Sequence, residues 1–178
     1  MTDKNTIPFY LAVAITAVVF LPLTLFLGTY NVPLWVSFIV WAEFFSFGAR
    51  LKDAGKLIIP SFAAGAGICA LGWVASFALE LLIPSAKGLW AYCIGFGFFI
   101  GASVKLMDFV PVFRKGSLAY FNGITMVIAV LFTDSFPQIT DHVLLSPLVA
   151  ALWTIVAGYF GLFLGWFNMV ILFPKKVS

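Results

Sequence analysis

The chain has 178 residues, of which 63% are hydrophobic and only 10% are charged. A soluble domain carries about 25% charged residues and is about half apolar, so this composition excludes an ordinary soluble protein. The formal net charge is +3 and the basic residues sit in short loops, which gives no indication of a nucleic-acid partner. We expect a single polytopic domain, residues 1–178, in contact with the lipid bilayer.

Six apolar segments are long enough to cross a bilayer, which takes about 20 residues with a range of about 17–25. In chain order they are Pro8–Gly28, Val32–Gly48, Leu57–Ile83, Gly88–Leu106, Gly116–Thr133 and Leu145–Phe173. The second and fifth are near the lower limit, and the third and sixth are long enough to tilt. The sequence therefore predicts an all-α membrane protein with six transmembrane helices.

The loops predict the orientation, because Lys and Arg are retained on the cytoplasmic side of a membrane. With the N-terminus inside, six crossings place nine basic residues inside and Lys87 alone outside. In the alternative, the short segments are re-entrant and Arg50, Lys52 and Lys56 lie outside. The charges favour six crossings with both termini in the cytoplasm.

The two halves of the chain share a pattern of proline breaks. The matched pairs are Val32-Pro33 with Val110-Pro111, and Pro60-Ser61 with Ser146-Pro147. Each unit has three spans, which is an odd number, so residues 8–83 and 88–173 would form an inverted 3+3 repeat. Transporters and channels with inverted repeats place their site at the repeat interface. The alternative is that proline marks helix starts, where its missing N–H costs nothing.

Glu43 is the first candidate for a functional residue. A carboxylate deep in a bilayer costs about 2.5–3.5 kcal/mol on insertion scales, so it must face protein or water. Superposing Pro33 on Pro111 brings Glu43 to the depth of Asn122, and we expect the two to approach a common cavity. Two alternatives remain open. Glu43 snorkels towards the basic loop that follows it, or these polar groups serve as hydrogen-bonded glue between helices.

Further residues are predicted to line the same pathway. The expected aromatic walls are Trp41, Phe44, Tyr120 and Phe121. The expected hydroxyl groups are those of Ser46 and Thr125. These rings would exclude bulk water, while the carboxyl and amide groups would supply the few hydrogen bonds that a small solute needs.

Small residues spaced four apart let helix backbones approach closely. Two such stripes occur, Gly97 with Gly101 and Gly161 with Gly165. Both are predicted to pack helices together, within or between subunits. The chain is therefore expected to form a homo-oligomer.

The sequence contains no nucleophile–base signature, phosphate loop, zinc motif or haem ligand pair, so no enzyme activity, cofactor or metal is expected. Cys69 and Cys93 lie within apolar segments, as buried thiols do. The few ionisable groups disfavour an ion-coupled pump, and the inventory favours a channel or facilitator for a small, polar, uncharged solute. The alternatives are an accessory subunit that acts through its glycine faces and a membrane enzyme or lipid-handling protein.

Two features carry a resemblance to a known family. Phe109-Val110-Pro111 leads into a short helix of small and aromatic residues, and the paired proline openings precede the glycine-spaced stretches Gly65/Gly67 and Gly158/Gly161/Gly165. Over residues 8–170 the chain resembles small bacterial inner-membrane proteins known as domain of unknown function 1097. The resemblance implies a multi-pass protein of the cell inner membrane and assigns no activity.

Overall fold

The computed structural model of the protein describes residues 3–4, 6–83, 88–172 and 175–176. In these ranges the fold is helical apart from two short strands, β1 (Asp3–Lys4) and β2 (Lys175–Lys176). The helices are α1 (Phe9–Phe20), α2 (Leu34–Ser46), α3 (Leu51–Leu82), α4 (Leu89–Phe109), α5 (Pro111–Lys115), α6 (Ser117–Phe132) and α7 (Ser146–Ile171). Lys87 and Phe173, which belong to the predicted topology, lie outside the described residues.

Among the described residues, two helices are long and apolar enough to cross a membrane. α3 has 32 residues and α7 has 26, which correspond to about 48 and 39 Å at 1.5 Å per residue. Large apolar side chains also cover the outside of the bundle, with Phe26 80%, Phe98 72% and Phe132 71% exposed. So large an apolar surface is unfavourable in water. Helix length and surface together indicate a membrane protein.

The first two predicted spans are shorter as helices than the sequence indicated. α1 ends at Phe20, and the chain continues as two 3₁₀ turns, Leu21–Thr24 and Gly28–Tyr30. Pro22 causes this break, because it has no N–H to continue the α-helical hydrogen bonds. α2 has 13 residues, about 20 Å, against a hydrocarbon core of about 30 Å. The predicted length was therefore wrong for the first helix, whereas α2 begins and ends within two residues of the predicted span Val32–Gly48.

α3 is longer than the third predicted span because it begins at Leu51. Lys52 and Lys56 lie in its first turns, where an apolar criterion expects a loop. Ala54 is fully buried, so these turns belong to the packed bundle. Pro60 consequently lies inside the helix and not at its start, and it supplies no N–H to the carbonyl four residues earlier. The last three predicted spans agree with α4, α6 and α7 to within three residues at each end.

The two most extensive helix pairs are α3 with α6 and α2 with α7. In both, the helices run parallel. The Ser37 hydroxyl, near the start of α2, donates to the Ala157 carbonyl of α7 at 2.7 Å, and further along both helices Phe44 faces Gly165. For α3 and α6, Ser61 lies against the residue before α6, and further along both helices the Trp73 and Phe132 rings meet 5.5 Å apart.

The other packed pairs are antiparallel. α3 and α7 meet where the Tyr159 hydroxyl donates to the Ile59 carbonyl and where Leu162 approaches Gly55. α4 runs back along α3, and α1 runs back along α7 through ring contacts of Phe20. Taken in chain order, with α5 as a short connection, the longer helices therefore alternate in direction.

The two ends of the described chain lie together. β1 and β2 pair antiparallel, and the Thr6 N–H donates to the Leu172 carbonyl at 2.9 Å. Both termini therefore lie at the end of the bundle where α1 begins and α7 finishes. The opposite end carries the segment between α1 and α2 and the segment that follows α6.

Candidate functional site

Glu43 and Asn122 meet where α2 contacts α6. The Asn122 Nδ2 group donates a hydrogen bond to Oε1 of Glu43, so the approach that the proline superposition predicts is observed. Glu43 is only 2% exposed, and its second oxygen, Oε2, is buried without a hydrogen-bond partner among the described residues. This carboxyl group is directed into the protein, and the snorkelling alternative does not describe it.

Glycines hold the two short helices in place. A Cβ atom at Gly161 of α7 would overlap the carbonyl oxygen of Ser37 in α2. A Cβ atom at Gly123 of α6 would overlap the carbonyl oxygen of Phe62 in α3. Each short helix thus rests backbone to backbone on a long one, which small residues permit. This docking sets the faces of α2 and α6 that carry Glu43 and Asn122.

The predicted aromatic walls have other partners. Phe44 is fully buried against Gly165 and the Phe45 ring. Tyr120 is fully buried on the other side of α6, where it stacks on Phe113 at 5.3 Å and donates to a carbonyl of α4. The prediction that these two rings enclose the polar pair was therefore wrong. Successive helical residues lie about 100° apart, so neighbours in sequence face different helices.

The remaining predicted residues differ in exposure. Trp41 is buried, and its Nε1 has no hydrogen-bond partner among the described residues. Phe121 is 42% exposed. Ser46 and Thr125 are exposed, and each donates to a carbonyl of its own helix at 3.3 and 2.9 Å respectively. Of the predicted set, Glu43 and Asn122 are the pair whose side chains hydrogen-bond to each other among the described residues.

The two glycine stripes differ as well. Gly161 and Gly165 lie against α2, where a Cβ atom would meet main-chain or ring atoms. Gly97 and Gly101 of α4 have nothing within 4 Å of such an atom in the described part of the chain. The helix packing that the sequence predicts for Gly97 and Gly101 is therefore not made within the described part of the chain. That face is open.

The structure shows a further buried polar pair that sequence reasoning missed. The Asn168 Nδ2 group of α7 donates to the Thr16 hydroxyl of α1 at 3.3 Å, and both residues are fully buried. An amide in an apolar segment is the same signal that identified Asn122. The matched proline pairs do not relate Asn168 to Thr16, so sequence reasoning identified no partner for it.

A cavity of about 750 Å³ lies at the end of the bundle away from the termini. Residues of two segments line it, 21–35 and 134–139. Trp35 lines the cavity, and Glu43 lies eight residues further along α2, about 12 Å away along the helix axis. Sequence reasoning missed the cavity, because its walls are loops that only the tertiary fold brings together.

No group of three or more His, Cys, Asp or Glu side chains suited to a metal ion occurs in the described ranges. Cys69 is buried and Cys93 is exposed, and both are free thiols. The predicted burial therefore holds for the first cysteine and not for the second.

Comparison with curated proteins and with solved structures returned no match to this chain. Comparison with protein families did. The family described as a protein of unknown function, DUF1097, matches residues 10–171. That match covers the whole helical bundle from α1 to α7, including Glu43, Asn122 and the lining of the cavity. The chain belongs to the DUF1097 family.

Proposed function

We propose that the protein crosses the bacterial inner membrane six times, with both termini in the cytoplasm. The alternation of helix directions, the paired termini and the distribution of basic residues support this topology. The short α1 and α2 fit it too. Non-helical backbone at membrane depth is tolerated where it is buried in protein or lines a cavity, and the segment between these helices lines the cavity of about 750 Å³.

Cysteine labelling tests this topology. In a parent carrying Cys93→Ser, Asp141→Cys should react with a membrane-impermeant maleimide from the periplasm, and Lys52→Cys should react only after lysis. Both native side chains are exposed, so lack of reaction reports the side of the membrane and not burial. Both variants must react in lysed cells. The opposite pattern in intact cells would contradict the topology.

We also propose that the two halves form an inverted repeat, residues 8–83 and 88–173. Under this repeat α1, α2 and α3 correspond to α4, α6 and α7. A twofold rotation that relates the two halves would place the pair α3 with α6 onto the pair α7 with α2, and these are the two most extensive helix pairs. The same rotation would place the pair α3 with α4 onto the pair α7 with α1, and the helices of both pairs are in contact. This correspondence supports an approximate twofold relation.

Within this architecture we infer a channel or facilitator for a small, polar, uncharged solute, without enzymatic activity. The observation that carries the inference is the hydrogen-bonded pair of Glu43 and Asn122, with Oε2 of Glu43 buried and unpartnered. The pair lies between the two short helices, at the interface where inverted-repeat transporters place their sites. A buried unpartnered oxygen offers a passing solute a hydrogen-bond acceptor.

Proteoliposome swelling tests this function. Vesicles that contain the purified protein should swell faster than empty vesicles in an iso-osmotic gradient of an uncharged solute such as glycerol. The same gradient of an organic salt should give no such difference, since Glu43 is the one charged side chain buried in the described part of the bundle. Equal swelling of protein-containing and empty vesicles across the panel would contradict transport.

One observation favours a second function, that of an accessory subunit. The open face of α4 carries Gly97 and Gly101 beside exposed apolar side chains, and a glycine stripe suits close helix contact. In the channel, the occupant we propose for this face is a second copy of the chain, in a homo-oligomer. In the accessory role a different membrane protein would occupy it. Copurification of a different, stoichiometric membrane protein, together with no swelling activity, would favour the accessory role.

A further inference from the structure

The cavity between segments 21–35 and 134–139 has the volume and the lining of a small-molecule binding site. Its volume, about 750 Å³, falls in the range of about 300–1,000 Å³ that is usual for small-molecule sites. Apolar and aromatic side chains line it together with short polar ones, which is the mixture such sites use. The pair of Glu43 and Asn122 is not part of its lining.

The walls of the cavity are held in place. The Asn31 carbonyl accepts a hydrogen bond from Trp153 Nε1 of α7 at 3.0 Å, and Asn31 Oδ1 accepts from the Leu27 N–H at 3.0 Å. On the other wall, the Ser135 N–H donates to the Val130 carbonyl at 3.0 Å, and Phe136 is buried in the core. Both loops are therefore positioned before any ligand arrives.

These internal bonds leave a mixture of donors and acceptors for a ligand. Asn31 Oδ1 is occupied, so its Nδ2 group remains as a donor. Gln138 Nε2 donates to the Phe136 carbonyl at 3.3 Å, so its Oε1 remains as an acceptor. A hydroxyl group both donates and accepts, whereas an ammonium group only donates and a carboxylate only accepts. The mixture therefore matches a ligand that carries several hydroxyl groups.

Asp134 defines the charge of the site. It is the one charged side chain among the described residues that line the cavity, and none of those residues is basic. Its backbone φ is +49°, a left-handed conformation that Asp and Asn adopt more readily than most other residues. An anionic ligand would meet this carboxylate with no compensating cation, so anions are disfavoured.

Aromatic rings supply the apolar side of the site. Tyr30 and Trp35 line the cavity from one wall. The face of an aromatic ring is negative, so it attracts the weakly positive C–H groups on one face of a sugar. Aromatic rings together with hydrogen-bonding groups in one cavity suit a molecule with an apolar C–H face and a rim of hydroxyl groups.

We propose that this cavity binds a small, uncharged polyhydroxy compound, a sugar or sugar alcohol. The binding itself depends only on the cavity. Its role as the outer docking place for the transported solute rests on the proposed function, because the proposed topology puts both lining segments on the periplasmic side.

Three probes with one carbon skeleton test the ligand class: D-glucitol, the anion D-gluconate and the cation D-glucamine. Equilibrium dialysis with the purified full-length protein in detergent should show saturable glucitol binding, and gluconate should bind about fivefold more weakly. Because Asp134 is exposed, glucamine should bind no more than about fivefold more tightly than glucitol. Absence of saturable glucitol binding, equal binding of gluconate, or glucamine binding at least about tenfold tighter would overturn the proposal.

Matched variants locate the binding. Trp35→Leu should weaken glucitol binding about tenfold, and Trp35→Phe should restore most of it by keeping a ring. Trp166→Leu is the control, since Trp166 is 40% exposed against 38% for Trp35 and does not line the cavity. Unchanged binding in Trp35→Leu, or equal loss in the control, would overturn the assignment.

A second pair of variants tests the charge. Asp134→Asn keeps a residue suited to the left-handed backbone and removes the carboxylate, so gluconate binding should rise towards that of glucitol. Asp141→Asn alters an exposed acid outside the lining and should leave gluconate binding unchanged. No rise in the first variant, or an equal rise in both, would overturn the role of Asp134.

Swelling is measured separately. If the protein binds glucitol but the vesicles do not swell faster, the channel function is contradicted and the cavity proposal stands. If the vesicles swell faster but the protein binds no glucitol, the cavity proposal is contradicted and the channel function stands.

Discussion

Changing Gly161 to alanine is expected to push α2 away from α7 and to lower the free energy of unfolding by about 3 kcal/mol, the upper end for overpacking. The new methyl group would overlap the carbonyl oxygen of Ser37 and lie 2.9 Å from its Cα atom. These are main-chain atoms, so no side-chain rotation relieves the contact. The hydrogen bond from the Ser37 hydroxyl to the Ala157 carbonyl, 2.7 Å long, would be strained as well.

Gly67→Ala is the matched control for this prediction. A Cβ atom at Gly67, inside α3, has nothing within 4 Å in the described part of the chain. Replacing a glycine inside a helix by alanine gains up to about 1 kcal/mol of helix propensity, so this variant should be neutral or slightly more stable. Denaturant titration of both variants in the same detergent measures their free energies of unfolding. Equal stability of the two variants would contradict the close packing of α2 on α7.

Changing Asn122 to leucine is expected to lower stability and to abolish solute flux. The variant removes the hydrogen-bond donor of Glu43, whose second oxygen already has no partner among the described residues. Leaving a buried polar group without a partner costs about 1–3 kcal/mol, and more if it is charged. The leucine side chain would also fill the space beside the carboxyl group. Denaturant unfolding and proteoliposome swelling measure the two effects separately.

Glu43→Gln and a double variant separate transport from structure. Glu43→Gln keeps the size of the side chain and an oxygen that accepts from Asn122, so stability should stay near that of the parent. The amide NH₂ group then replaces Oε2 and donates where the oxygen accepted, and a hydroxyl group of a solute can pair with either. For an uncharged hydroxyl solute, flux should therefore change little and show no dependence on pH. A sharp fall in flux would instead indicate that Glu43 attracts a cation.

The double variant Glu43→Leu with Asn122→Leu removes both polar groups at once. Replacing both partners of a buried hydrogen bond by apolar groups is often close to neutral, so stability should recover relative to Asn122→Leu alone. Flux should remain absent, because a pathway needs these groups even if folding does not. Parent-like flux in the double variant would show that Glu43 and Asn122 serve helix packing and not transport. The accessory-subunit hypothesis would then be preferred.

The local pattern was sufficient for most helix positions and for the central contact. Apolar segment length placed α4, α6 and α7 to within three residues, because the transfer of a segment to lipid depends on its summed hydrophobicity. The shared Val-Pro breaks brought Glu43 to the depth of Asn122 without any structural information. The same criterion began α3 too late, because it left out the charged first turns, and it continued the first span through Pro22.

By itself, the sequence determined that the chain is helical and apolar, where most helices lie, and which polar residues share a depth. The tertiary structure alone decided which faces are covered. Gly161 and Gly97 sit in similar small-residue stripes, yet one contacts a backbone and the other faces open space. In a soluble protein the polar face of a helix reveals the buried one, but a helix surrounded by lipid is apolar on every side. Its neighbours are therefore chosen by shape and hydrogen bonding, and both the directions of the Phe44 and Tyr120 rings and the cavity walls follow from that choice.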